Sequence, residues 1–305
     1  MAIVIPCFYA LAPAAMGLLD KIQNIFADKR TDLAERFEIV REAVHGTMSN
    51  FHMAIDRRDK RTIGLKILDS EKTAAFEARF KTLKKPWEGM IALKLKHPRI
   101  VETYEADKAK DGRQFIVMEY IEGTGLNVLL NNRDKVVLGN RHRLVKQMAE
   151  AIDAVHKANF IHRDVCPRNF IASPDATSLK LIDFGLTLPA EPPYMLPGNR
   201  TGTPLYLAPE IVRRKPTDQR VDIFAYGVTC YQLCTFEFPW PSSDTTGRGA
   251  LQHDNLAPIP ITHKRPDLNP VLAKAIMQCM MPDPNARPVN MEAVLRSLKN
   301  VPDEE

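Results

Sequence analysis

Between residue 37 and about residue 68, apolar residues recur in short, strand-like stretches broken by polar runs at 45–50 and 56–60, which predicts a small antiparallel sheet. Residues 70–96 change period. Rich in Ala, Glu, Lys and Leu, they predict one or two helices, with Pro86 where a helix can begin. A further strand pair ends in 114–120, and beyond Gly123 a helical period returns over 144–157, 221–234 and 270–280. This change near residue 121 predicts an α+β chain of two lobes, 37–120 mainly β and 121–300 mainly α, with a poorly defined leader at 1–36 and a tail at 301–305. There are no internal repeats, and the prolines between 189 and 197 sit in an expected loop.

The leader departs from this pattern. Residues 2–19 carry no charge, close to the ~20 residues that span a bilayer. Pro6 and Pro13 interrupt the run, no Lys or Arg precedes it, and Met16 offers an alternative start, so a mis-set start or a loose leader is favoured over a membrane anchor. After Met16, the helical spacing of Leu18, Leu19, Ile22, Ile25 and Phe26 suits packing on the domain better than membrane association through 1–26.

Composition removes several function classes. With 45% hydrophobic residues in 305, the chain can bury a substantial core. Forty-two Lys and Arg against 37 Asp and Glu is too even a balance to point to nucleic acid. Five scattered cysteines indicate neither a disulfide framework nor a zinc site and fit a reducing, cytoplasmic setting; Cys230 and Cys234 read as core thiols.

The chemistry lies in His162-Arg163-Asp164-Val165-Cys166-Pro167-Arg168-Asn169 and, after an apolar strand at 179–182, Asp183-Phe184-Gly185. Phosphoryl transfer asks for a positioned hydroxyl and for cations that neutralise charge on the phosphate oxygens, and two carboxylates and an amide can serve both needs. The two motifs, in this order, resemble the protein-kinase family. That resemblance implies that Asp164 orients the substrate hydroxyl, that Asn169 and Asp183 hold Mg2+, and that ATP is the phosphoryl donor. Upstream, Lys66 in Ile63-Gly64-Leu65-Lys66 matches the family lysine that grips the α and β phosphates, with Gly64 in place of an alanine. Glu88, nine residues before His97-Pro98, is its expected ionic partner, and Gly89 is expected to leave the adjoining helix mobile. Met118 takes the gatekeeper position, and the backbone of Glu119 to Ile121 is expected to bond adenine. Further on, Gly202-Thr203-Pro204-Leu205-Tyr206-Leu207-Ala208-Pro209-Glu210 resembles the end of an activation segment. Its Glu210 would pair with Arg287, and Asp222 would bind the backbone of the catalytic loop. Thr203 beside Asp164 is the serine/threonine-kinase form, which implies protein substrates with Ser or Thr hydroxyls. The resemblance runs from about residue 37 to 298.

Three departures stand out. The phosphate-covering loop, G-x-G-x-x-G-x-V in the family, reads Val44-His45-Gly46-Thr47-Met48-Ser49-Asn50-Phe51; only Gly46 survives, and weak or slow nucleotide binding is expected. The cation usual two residues after the catalytic aspartate is replaced by Cys166, and Arg168 is expected to restore the charge. Arg168 also argues against arginine-flanked substrate sites. Arg163 implies, by resemblance, a phosphate on the activation loop, with Thr187, Tyr194 and Thr201 as candidate acceptors and Thr201 the first choice; the loop prolines are an alternative source of order. With Lys66, Glu88, Asp164, Asn169 and Asp183 all present, the sequence favours an active Ser/Thr kinase. A pseudokinase scaffold is the alternative, and a small-molecule kinase is disfavoured by the 202–210 segment and Arg287.

Overall fold

The computed structural model describes residues 30–45, 49–199, 201–240 and 256–305. The strand pattern of the first lobe becomes a five-stranded antiparallel sheet: β1 (Phe37–His45), β2 (Ser49–Asp56), β3 (Thr62–Leu68), β4 (Thr103–Lys108) and β5 (Gln114–Glu119), in the order β1-β2-β3-β5-β4. Strand side chains alternate between faces. In β3 this sends Ile63 and Leu65 to the outer face with Phe37, Ala54, Phe115 and Val117. Its other face, bearing Gly64 and Lys66 opposite Met118 and Ile116, turns to the main core and the second lobe.

Ordered structure begins before residue 37, inside the expected leader. Asp32 caps the short helix α1 (Leu33–Arg36) by accepting from the Ala34 and Glu35 amides. Arg36 is buried and pairs with Asp56 of β2 and Glu105 of β4, both at 2.7 Å. Residues 1–26, expected to pack on the domain, lie outside the described residues. Among the described residues no helix is long and apolar enough to cross a membrane.

The 70–96 segment forms two helices, α2 (Ser70–Glu77) and α3 (Glu88–Ala92), with a 3-10 turn over Ala78–Leu83 between them. Pro86 stands just ahead of α3, whose N-cap is Trp87. Gly89 has a packing role in this helix. A Cβ there would collide with the Trp87 ring and stand 2.6 Å from Ala106 Cβ, so the glycine is where the ring seats α3 against β4.

The second lobe adds two small sheets: β6 (Thr124–Gly125) with β8 (Phe170–Ala172) and β9 (Leu179–Leu181), and β7 (Phe160–Ile161) with β10 (Leu188–Pro189). Around them pack α4 (Leu126–Asn131), α5 (Arg141–Lys157), α6 (Pro209–Val212), α7 (Arg220–Thr235), α8 (Ile261–Lys264), α9 (Pro270–Cys279) and α10 (Met291–Ser297). A five-stranded sheet above a mainly helical lobe is the two-lobed fold expected. The 301–305 segment is tied down along α5: Val301 is buried, Asp303 meets Lys146 and Glu305 meets Arg141, each at 2.8 Å.

Candidate active site

The upper wall of the cleft comes from β3 and α3. Lys66 and Phe51 are cross-strand partners, so both face the cleft. The Lys66 ammonium donates to Glu88 of α3 and, at 2.9 Å, to Asp183 Oδ1 of the second lobe. Burial works against its charge, but Asp183 and Glu88 outweigh that cost and hold its pKa above the ordinary lysine value. Burial pushes the Glu88 carboxyl up against the pull of Lys66. Asp183 goes the other way: against the desolvation of its paired oxygen, Lys66 and the Gly185 amide, which donates to Oδ1 at 2.9 Å, keep it below the usual carboxylate range. Its other side opens to the cleft, with 45% of the side-chain surface exposed.

The lower wall is the loop between β7 and β8. Asp164 Oδ1 accepts from the Thr203 amide at 2.8 Å and the Thr203 hydroxyl at 2.7 Å. Its Oδ2 accepts from Asn169 Nδ2 at 3.0 Å and Arg168 Nη2 at 3.3 Å. Because Asn169 spends its NH2 on Asp164, its carbonyl oxygen is the atom left for another partner. Arg163 and Asp183 both have left-handed backbones, φ 68° and 70°, a strain of about 1–3 kcal/mol each for a non-glycine residue. Asp222, at the start of α7, offsets the first: its buried carboxylate accepts from the His162 and Arg163 amides at 2.8 Å, and His156 Nε2 lies 2.9 Å away. Burial opposes its charge, but His156 and these amides hold its pKa below the usual carboxylate value.

Below this loop, Arg287 and Glu210 form a buried bidentate pair at 2.7 and 2.8 Å, joining α6 to the turn that precedes α10. Cys166 is buried with its thiol pushed up to about 12, first by burial and then by Asp164, so it supplies no charge. Arg168 brings the cation instead, with Nη2 2.9 Å from the Thr203 hydroxyl that also bonds Asp164.

The fold thus gathers Lys66, Glu88 and Asp183 at one point and Asp164, Arg168, Asn169 and Thr203 beside it. Met118 is buried in β5 facing Gly64. The Glu119 amide donates to the Glu102 carbonyl at 2.9 Å, its carboxylate accepts from the Glu102 amide and pairs with Lys180, and Ile121 follows, half-buried against the core. The side chain of Val44 and all of Gly46 lie outside the described residues. Thr187 and Tyr194 are not accessible acceptors: both are buried, and their hydroxyls donate to the His162 and Leu83 carbonyls at 3.4 and 2.6 Å. Thr201 is half-buried and donates to Asn199 at 3.0 Å.

One feature escaped sequence reasoning. A Cβ at Gly64 would stand 2.8 Å from the tip of the Phe51 ring and 3.1 Å from the Glu119 carbonyl. Phe51 stands where the family pattern has valine and Gly64 where it has alanine, so a larger and a smaller residue have exchanged volume beside the hinge. The two departures, read as one pair, were the available signal. With Asp183 open to the cleft and Asn169 Oδ1 left over once its NH2 group bonds Asp164, the site offers two oxygen donors on neighbouring residues. That suits a hard divalent cation completed by phosphate oxygens.

Comparison with known proteins agrees with this geometry. The protein kinase domain model matches residues 37–298. The chain is 32% identical over 245 residues to serine/threonine-protein kinase pkn3 of Myxococcus xanthus, covering 77% of this chain and 43% of that protein. A probable serine/threonine-protein kinase of Clostridium acetobutylicum is 30% identical over 273 residues, covering 89% of this chain and 40% of its own length. PknB of Mycobacterium tuberculosis is 28% identical over 267 residues, at 84% and 41%. The chain therefore spans less than half the length of these relatives.

Proposed function

Because the chain belongs to the protein kinase family, whose members use ATP and a divalent metal, we propose that it transfers the γ-phosphoryl group of ATP, with Mg2+, to Ser or Thr hydroxyls of protein substrates. The observation that supports this reading is Lys66 bridging Glu88 and Asp183: an ammonium, its carboxylate partner and an open carboxylate meet at one cleft, as phosphate binding requires.

Asp164 is the group that receives and orients the incoming hydroxyl. Thr203 pins its Oδ1, so the carboxylate faces one way before substrate arrives, which avoids reorganisation during transfer. Lys66 grips the nonreacting phosphates, and Glu88 keeps its ammonium from collapsing wholly onto Asp183. Asp183 and the Asn169 carbonyl would hold the metal, which when bound neutralises charge on the phosphate oxygens. Arg168, 55% exposed, supplies the positive charge that Cys166 does not and acts on the transferring group or on an acidic flank of the substrate. The Arg163-Asp222 and Glu210-Arg287 sets act through the loops they hold.

A scaffold that binds partners without transfer is the second reading. It is favoured by the Phe51 ring, which takes space beside the Glu119 carbonyl where the base would be held. One assay separates them: with labelled ATP and Mg2+, wild type should incorporate phosphate and Asp183→Ala should lose about 100-fold or more. Equal incorporation by both proteins would end the catalytic reading.

A further inference from the structure

The segment between Asp183 and Glu210 is bound to the upper lobe by an apolar contact that nothing in the chemistry above requires. Phe76 of α2 and Phe80 of the following 3-10 turn meet edge to face with centroids 5.5 Å apart, and Phe80 lies 5.9 Å from the Tyr194 ring. These three and Leu188 form a buried cluster of their own. Tyr194 also donates its hydroxyl to the Leu83 carbonyl at 2.6 Å. On its lower side the same segment is stitched to the second lobe: Leu188 pairs with Ile161, and the Thr217 amide donates to the Met195 carbonyl at 3.0 Å. One stretch of chain therefore ties the residues just ahead of Glu88 to the strand just ahead of His162.

The Arg163 guanidinium is already engaged in this arrangement. It is buried, donating Nη2 to the Asn199 carbonyl at 2.9 Å and Nη1 to the Thr217 hydroxyl at 3.3 Å. Two neutral oxygens thus take contacts that a phosphate would otherwise offer, and the apolar cluster supplies the bridge between lobes.

Resting on the kinase reading, we propose that the Phe80–Tyr194 clasp is the positioning device of this enzyme: it holds the 186–196 segment, and through it Glu88 and the 162–169 loop, in the working arrangement without a phosphate on the activation segment. Phe80 and Tyr194 touch no reacting atom; they act through Glu88 and Arg163.

The test uses the full chain, stripped with a broad phosphatase and checked by intact mass, with Ser/Thr-rich casein as acceptor. Wild type so treated, and Thr201→Ala, should keep kcat within about 1.5-fold of untreated protein. Phe80→Ala should lose about tenfold or more in kcat with the KM for ATP within about twofold, Phe80→Leu should recover most of it, and Tyr194→Phe should lose about threefold. Hydrogen exchange should quicken over 186–196 in Phe80→Ala, a readout independent of activity. Should Phe80→Ala fail to fold, Tyr194→Phe, which removes a single oxygen, carries the test. A tenfold loss on dephosphorylation that rephosphorylation restores would overturn the proposal, as would an unchanged kcat in the clasp variants. Wild type inactive in both phosphorylation states would instead remove the kinase reading beneath it.

Discussion

The two walls of the cleft are held by different physics. In the lower wall, Asp164, Arg163, Asn169 and Asp222 are fixed by directional hydrogen bonds, most of them 3.0 Å or shorter, and several involve a buried charge. The upper wall adds to the Lys66–Glu88 pair two aromatic rings seated on glycines, Phe51 on Gly64 and Trp87 on Gly89. A directional wall fails when a partner is removed, because a buried charge is left without its bonds. A wall set by volume fails when a methyl is added, because a close-packed ring has nowhere to go.

That contrast can be broken at three points. The largest effect is expected in the lower lobe: Glu210→Ala leaves the Arg287 guanidinium buried and unpaired, and should cost about 3–5 kcal/mol in denaturant unfolding. A loss below about 1 kcal/mol would mean that the Met281, Pro282 and Arg220 carbonyls already satisfy Arg287 without Glu210. In the upper wall, Gly64→Ala should cost about 1–3 kcal/mol by pressing on Phe51, and Phe51→Val in the same chain should recover most of it. If the two changes are simply additive, the volume exchange is not real.

The smallest effect is a slope with pH, confined to the acid limb. Asp222 has a folded pKa below the ordinary 3.8, so its contribution to stability is complete above that value and is lost as pH falls through the lower folded value. Wild type should therefore show an acid-limb fall in melting temperature below about pH 4 that is shallower in Asp222→Asn, since the amide has no charge to lose. Parallel acid limbs would assign the fall to other carboxylates.

The same contrast governs what could be read from the letters. Lys66, Asp164, Asn169 and Asp183 were legible because their chemistry admits few substitutes and their spacing follows the loop that carries them. Glu88 was legible only as a partner for Lys66. The upper wall was not: Phe51 and Gly64 each look like a lapse, and the compensation shows only once β2 and β3 lie side by side in register. Gly89 read as a weak point of a helix, because helix propensity is local and the Trp87 ring it admits is not part of that accounting. Thr187 and Tyr194 read as candidate acceptors because they are hydroxyls in the loop where the resemblance carried by Arg163 implies a phosphate. The fold turns that loop back onto Phe76 and Phe80, more than a hundred residues away in the chain. Long-range burial of this kind leaves no periodic mark.

The Arg36 cluster has a consequence for where this unit of structure ends. The protein kinase domain match begins at Phe37, one residue short of the guanidinium that Asp56 and Glu105 share. Asp56 is 4% exposed, so severing the chain at the similarity edge would strand an anion inside the sheet's flank, with no water to take the cation's place. Charge neutrality thus ties the sheet to residues ahead of that edge, back at least to Asp32, whose carboxylate starts the helical turn that delivers the arginine.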